Sequence, residues 1–176
     1  MAGVAPAYTD DTIKSILRST KVIAMVGASG NDMRPSYFAM KYLLDKGFVI
    51  HPINPGLAGK EILGQRVYAS LHDVPSPVDM VDIFRSSEAA PGIVREALAE
   101  KDRLGIKTIW MQLGVISEEA EALAREAGLN VVMNRCPKIE YGRLSGEIGW
   151  MGVHRNVIDN RKPLLYGKGG SLKRGA

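Results

Sequence analysis

Gly27-Ala28-Ser29-Gly30, followed a few residues later by Arg34, Pro35 and Ser36, places together residue types that can do chemistry. Small residues let the backbone come close to a ligand. A proline opens a helix well, because its missing N–H would be unpaired there in any case. A helix N-terminus that follows a glycine turn aims free N–H groups and the positive end of the helix dipole at one spot. Arg34 adds a forked cation suited to an oxyanion. The chemistry open to this stretch is anion binding, and a phosphate is its natural object.

The other reactive residues do not assemble into a catalytic set. His51 lies inside an apolar run, His72 in Leu71-His72-Asp73 and His154 near the C-terminus, none beside a nucleophile in sequence. They read as core or surface histidines. Asp79, Asp82 and Glu140 fall near strand ends, in no spacing that compels an acid–base pair. One cysteine, Cys136, and scattered histidines do not make a metal set. No catalytic residue and no metal ligand is assigned.

The elements that must hold the anion turn can be read in chain order. Thr9-Asp10-Asp11-Thr12 offers N-cap residues ahead of the stripe Ile13, Ile16 and Leu17. The continuous apolar run 22–26 predicts a strand buried on both faces. Helices are predicted over 36–46, 89–104 and 117–127, and further strands over 48–54, 78–84, 106–111 and 129–133. The segment 60–73 reads as a loop with brief helical pieces. Strands alternating with helices through short joints predict right-handed crossovers and a parallel sheet. The expected fold is therefore α/β: a Rossmann-like, doubly wound, mainly parallel five-stranded sheet with helices on both faces. Ligands of such sheets sit outside the carboxyl ends of the strands. That directs attention to Gly27–Ser36, Asn54-Pro55, Phe84-Arg85, Gln112–Gly114 and Asn134–Cys136.

The turn is not G-x-G-x-x-G, and no triphosphate-binding G-x-x-x-x-G-K-[ST] occurs. Strand two ends His51-Pro52-Ile53-Asn54-Pro55, without the acid that a nicotinamide dinucleotide site places there for the ribose hydroxyls. This counts against NAD. An NAD(P)-dependent oxidoreductase remains an alternative, as does an interaction protein with a vestigial pocket.

Val26-Gly27-Ala28-Ser29, Arg34-Pro35-Ser36-Tyr37, Pro52-Ile53-Asn54-Pro55, Val81-Asp82-Ile83-Phe84-Arg85, Trp110-Met111-Gln112-Leu113-Gly114-Val115 and Asn134-Arg135-Cys136-Pro137-Lys138-Ile139-Glu140 together resemble the stand-alone coenzyme A-binding proteins. More distantly they are similar to the N-terminal domain of the succinyl-CoA synthetase α subunit and of NDP-forming acyl-CoA synthetases. The resemblance covers about residues 10–160. It implies a Rossmann-type domain with coenzyme A or an acyl-CoA as ligand. It implies that Gly27, Ala28, Ser29, Arg34, Pro35 and Ser36 hold phosphates, that Asn54 and Pro55 border the adenosine end, and that Phe84, Arg85, Gln112 and Gly114 line the pantetheine path. The ligase relatives need a phosphorylated histidine on a further domain and an ATP-grasp partner, and this chain has neither the length nor that motif. A non-catalytic carrier, sensor or regulatory module is the expected role.

On the residues themselves, Lys60 reads as a solvated lysine, and Arg85 is balanced between a ligand contact and a surface ion pair. Cys136 follows strand five, where the thiol of a bound coenzyme A would end. A mixed disulfide there would be favoured if Arg135 or Lys138 lowers the thiol pKa; a buried, inert cysteine is the plainer reading.

Composition supports a single globular domain: 176 residues, 45% hydrophobic and 24% charged. No apolar run approaches the roughly 20 residues that cross a bilayer, the N-terminus has no signal-like pattern, and a lone cysteine fits a reducing compartment. A cytoplasmic protein is expected. The net charge of +4 is local: from Arg155 onward there are six basic residues and one acid, leaving 17 basic against 18 acidic in the rest. Residues 1–160 are taken as one domain and 161–176 as a basic, solvated tail. With Tyr166 as its single aromatic, this tail argues against nucleic-acid binding. The apolar residues of 141–163, among them Trp150 and Met151, would pack over the sheet edge or form a homodimer interface.

Overall fold

Val22–Val26 is apolar at every position because the strand it forms has helices over both faces. In the computed structural model, which describes residues 8–146, the elements follow in the order α1 (Asp10–Ser19), β1 (Val22–Val26), α2 (Pro35–Asp45), β2 (Val49–Ile53), β3 (Glu61–Ile62), β4 (Gln65–Arg66), β5 (Met80–Ile83), α3 (Ala90–Leu104), β6 (Thr108–Met111), α4 (Glu118–Glu126), β7 (Asn130–Val132) and α5 (Pro137–Leu144). Local chemistry sets several of the starts. The Thr9 hydroxyl accepts from the Thr12 N–H and the Ser117 hydroxyl from the Ala120 N–H, while Pro35 and Pro137 open α2 and α5.

Five strands form one parallel sheet in the order β2-β1-β5-β6-β7, the expected doubly wound α/β arrangement. From β1 the chain winds outward to β2, then returns to the other side of β1 to start β5. The winding therefore reverses between β1 and β5, and the crevice of such a sheet opens there. One face carries Ala24, Val81, Ile83, Ile109 and Met111 against α3 and α4. The other carries Ile23, Met25, Met80, Trp110 and Val132 against α1, α2 and α5. Each large side chain of this kind, such as the fully buried Trp110, stabilises the fold by roughly 1.5–3 kcal/mol.

Two regions differ from expectation. Residues 60–73 hold an antiparallel β3–β4 pair as well as one short 3₁₀ turn at Leu71–Asp73, and Ile62 packs on the α2 face. Two-residue strands are too short to show a period. Residues 137–144 form α5, which the sequence pattern did not foretell. Its buried positions are Pro137, Glu140 and Gly142, so it has no apolar stripe to read. The expectations for 147–163, the 161–176 tail, His154 and a homodimer interface lie outside the described residues. No helix among the described residues is long and apolar enough to cross a membrane.

Candidate functional site

The turn after β1 lies tight against the end of β5 at the reversal point. Gly27 has φ +87°, and a β-carbon on it would stand 2.5 Å from the Phe84 carbonyl oxygen and 2.9 Å from Cδ of Arg85. Only glycine serves there on both counts. The stem of Arg85 thus runs directly over the turn. Gly27 and Ala28 both donate to the Ile53 carbonyl, at 3.0 and 3.2 Å, which ties the turn to the end of β2.

The following loop holds itself in place. Asn31 N–H donates to Ser29 Oγ, Met33 N–H to Asn31 Oδ1, and Arg34 N–H to the Asn31 carbonyl. Among the described residues, the N–H groups of Ser29, Gly30 and Ser36 have no such acceptor. Arg34 is the N-cap of α2 without capping it through its side chain, Pro35 is the first helical residue and Ser36 is buried. Neither Arg34 nor Arg85 makes an ion pair among the described residues. The surface-ion-pair reading of Arg85 therefore has no partner there. Lys60 is exposed, as expected.

Asn54 is committed to the scaffold. Its Nδ2 donates to the Ala28 carbonyl at 2.8 Å and its Oδ1 accepts from the Gly56 N–H at 2.9 Å, while Pro55 is exposed beside it. Phe84 is half-buried against the α2 face. Gly114 donates to Asn134 Oδ1 at 2.8 Å, and Asn134 itself has φ +56°. The Ser87 hydroxyl accepts from Ile116 N–H and reaches the Gly114 carbonyl. Asn134 and Ser87 thus lace together the loops that follow β5, β6 and β7. Ser87 was not foreseen; nothing in its spacing signals the contact.

Gln112 is buried rather than open at the strand tip. Its Oε1 accepts from the Leu113 N–H at 3.0 Å, leaving its Nε2 buried beside the Cys136 thiol with no oxygen acceptor among the described residues. Asp82, passed over among the acids, is fully buried between Met25 and Trp110 of the neighbouring strands, and neither carboxyl oxygen has a hydrogen-bond partner among the described residues. Burial alone holds its carboxyl well above the usual carboxylate range. Asp79 and Glu140, by contrast, are structural. Asp79 accepts from the Lys21 and Val22 N–H groups, and Glu140 pairs with Arg143.

Cys136 caps α5 and faces this same region. Burial pushes its thiol up, the nearby Asp82 adds to that, and the Ile139 and Lys138 N–H groups and the Gln112 side chain only partly oppose it. The lowering by the Arg135 or Lys138 side chain, on which the reactive reading is conditional, is not found, and the net shift is upward as for a buried cysteine. Arg135 turns away to the Asn134 carbonyl and the Tyr8 ring, and Lys138 sits over the rings of Phe38 and Tyr42. Of the histidines, His51 is half-buried against Tyr68 and lowered by burial, and His72 pairs with Glu100. Among the described residues no group of His, Cys, Asp and Glu could hold a metal ion. A cavity of about 570 Å³ opens at the amino end of the sheet, between α1, the end of α2 and α5, remote from these strand ends.

Fold and site define a Rossmann-like α/β domain whose polar and cationic turns gather where the strand order reverses. The chain belongs to the CoA binding domain family, whose model matches residues 21–142. It is 38% identical over 129 residues to the uncharacterized protein YneT of Bacillus subtilis, covering 73% of this chain and 91% of that protein. It is 34% identical over 154 residues to the ADP-forming acetate–CoA ligase of Methanocaldococcus jannaschii, covering 85% of this chain but only 20% of that enzyme. A solved structure of a hypothetical protein from Pyrococcus horikoshii OT3 superposes with a TM-score of 0.74 at 37% identity, over 83% of this chain and all of that one.

Proposed function

We propose that this chain binds coenzyme A, or an acyl-CoA, in the crevice between the carboxyl ends of β1 and β5, and that it acts as a binding module rather than a catalyst. The observation that carries this reading is the meeting of Gly27 with Phe84 and Arg85. It lets a polyanion approach bare backbone at a point flanked by Arg34 and Arg85, which make no ion pair among the described residues. Gly27, Ala28, Ser29, Arg34, Pro35 and Ser36 would take phosphates. Asn54 and Pro55 would border the adenosine, and Phe84, Arg85, Gln112, Gly114 and Cys136 the pantetheine arm. Family membership supports the choice of ligand, and the ligases that share this domain are named for joining acetate to CoA. The role we propose is that of a carrier, sensor or regulatory module; the portion shared with the M. jannaschii enzyme is a fifth of that enzyme's length.

A ligand that binds only the folded state stabilises it, by about 2.7 kcal/mol at a hundred times its Kd. Thermal unfolding and calorimetry with coenzyme A, NAD, NADP and ATP test the reading. Coenzyme A should raise Tm and give saturable heat. Stabilisation by NAD alone, or by no ligand in the panel, would overturn it.

A further inference from the structure

Beneath the crevice lie two polar side chains with buried atoms that lack an ordinary hydrogen-bond partner among the described residues. Gln112 cannot turn its amide over, because Oε1 is already held by the Leu113 N–H, so Nε2 is left buried beside the Cys136 thiol with no oxygen acceptor among the described residues. Asp82 is 0% exposed with both oxygens unpartnered. The two are on one face of the sheet: Asp82 is in register with Trp110 of β6, and Gln112 lies two residues further along that strand's path. Diagonal neighbours of this kind on adjacent strands are about 7–8 Å apart, within the reach of a long side chain. Cys136 stands beside both, at the strand end where the sulfur terminus of the proposed ligand would arrive. Leaving such groups unpaired destabilises the fold, a cost that a bound acceptor removes.

We propose that Asp82 and Gln112 form a donor pair that receives the carbonyl oxygen of an acyl thioester, so that the domain discriminates acyl-CoA by its thioester rather than by its acyl chain. The inference rests on the coenzyme A reading. In its acid form Asp82 supplies one O–H and Gln112 supplies N–H donors, a set complementary to a carbonyl oxygen and of little use to a thioether.

The test compares acetyl-CoA with S-ethyl-CoA, a thioether of equal size without the carbonyl, by calorimetry on the full chain. The wild type should bind acetyl-CoA at least tenfold more tightly. Asp82→Asn, which keeps a donor, should retain most of that ratio. Asp82→Val and Gln112→Leu should each reduce that ratio towards one, whatever they do to the affinity for S-ethyl-CoA. Gln112→Leu, at the strand end, keeps the test available if the Asp82→Val chain fails to fold. Equal binding of the two ligands by the wild type overturns this inference and leaves the coenzyme A reading intact. Failure of coenzyme A, acetyl-CoA and S-ethyl-CoA alike overturns both.

Discussion

A β-carbon added to Gly27 would lie 2.5 Å from the carbonyl oxygen of Phe84, closer than real β-carbons approach any atom. The turn after β1 and the end of β5 are thus fitted to each other through backbone alone. Gly47 offers the matching control, with φ +93° but nothing within 4 Å of an added β-carbon. Gly47→Ala should cost about 1–2 kcal/mol, from left-handed backbone strain only. Gly27→Ala should cost at least about 1 kcal/mol more, because the Phe84 backbone must also move. Urea midpoints at unchanged slope measure both.

Arg34 and Arg85 flank that turn and make no ion pair among the described residues, so their charges are available to a polyanion. Charge-assisted hydrogen bonds contribute about 1.5–3 kcal/mol. Arg34→Ala and Arg85→Ala should therefore each weaken coenzyme A binding by more than tenfold. Calorimetric Kd values at fixed salt give the comparison, and an unchanged affinity removes that arginine from the site.

Much of this arrangement was legible from the chain, for a physical reason. Parallel strands buried on both faces read as plain apolar runs, and Val22–Val26 was delimited correctly on that signal alone. Ser117 announced α4 by its capping chemistry. What stayed hidden depends on contacts between distant segments. Helix α5 has no apolar stripe, and β3 and β4 are two residues each. Asp82 sits in a run that only the completed sheet shows to be sealed. The orientation of Gln112 follows from one bond to its neighbour, which spacing cannot reveal.

Asn134 holds Gly114 through Oδ1 while adopting φ +56° itself. The two roles separate by substitution. Asn134→Gly keeps the backbone easy and loses only the hydrogen bond, about 0.5–1.5 kcal/mol. Asn134→Ala loses the bond and adds left-handed strain, so it should be the less stable of the pair by about 1 kcal/mol. Chemical denaturation of both variants checks the order.

The Cys136 thiol is held up chiefly by burial, with Asp82 adding to it. A thiol that resists ionisation alkylates slowly, since the thiolate is the nucleophile. Iodoacetamide should modify the folded protein more slowly at pH 7 than it modifies the urea-unfolded chain, and the rate should still be climbing at pH 9. Saturating coenzyme A should slow it further if Cys136 borders the pantetheine end. Treatment with coenzyme A disulfide should give little adduct at neutral pH. A rapid, reducible adduct that Cys136→Ser abolishes would restore the reactive reading.

Asp82 makes the stability of the domain fall as pH rises. Its folded pKa is raised above the ordinary carboxyl value by burial, so between those two values the folded state holds a proton that the unfolded chain releases. The associated stability is fully present below about pH 4 and is lost progressively above it, by roughly 1.4 kcal/mol per pH unit, until the folded pKa is reached. Asn at this position is neutral at every pH and nearly isosteric. The stability of Asp82→Asn relative to wild type should therefore increase steadily from pH 5 upward. Cys136 and Lys138, which approach the same region from α5, titrate in the alkaline range, so the comparison is cleanest between pH 5 and 7. Parallel denaturation curves over that interval check it: a constant gap between the two proteins would mean that Asp82 ionises in the fold as it does in water.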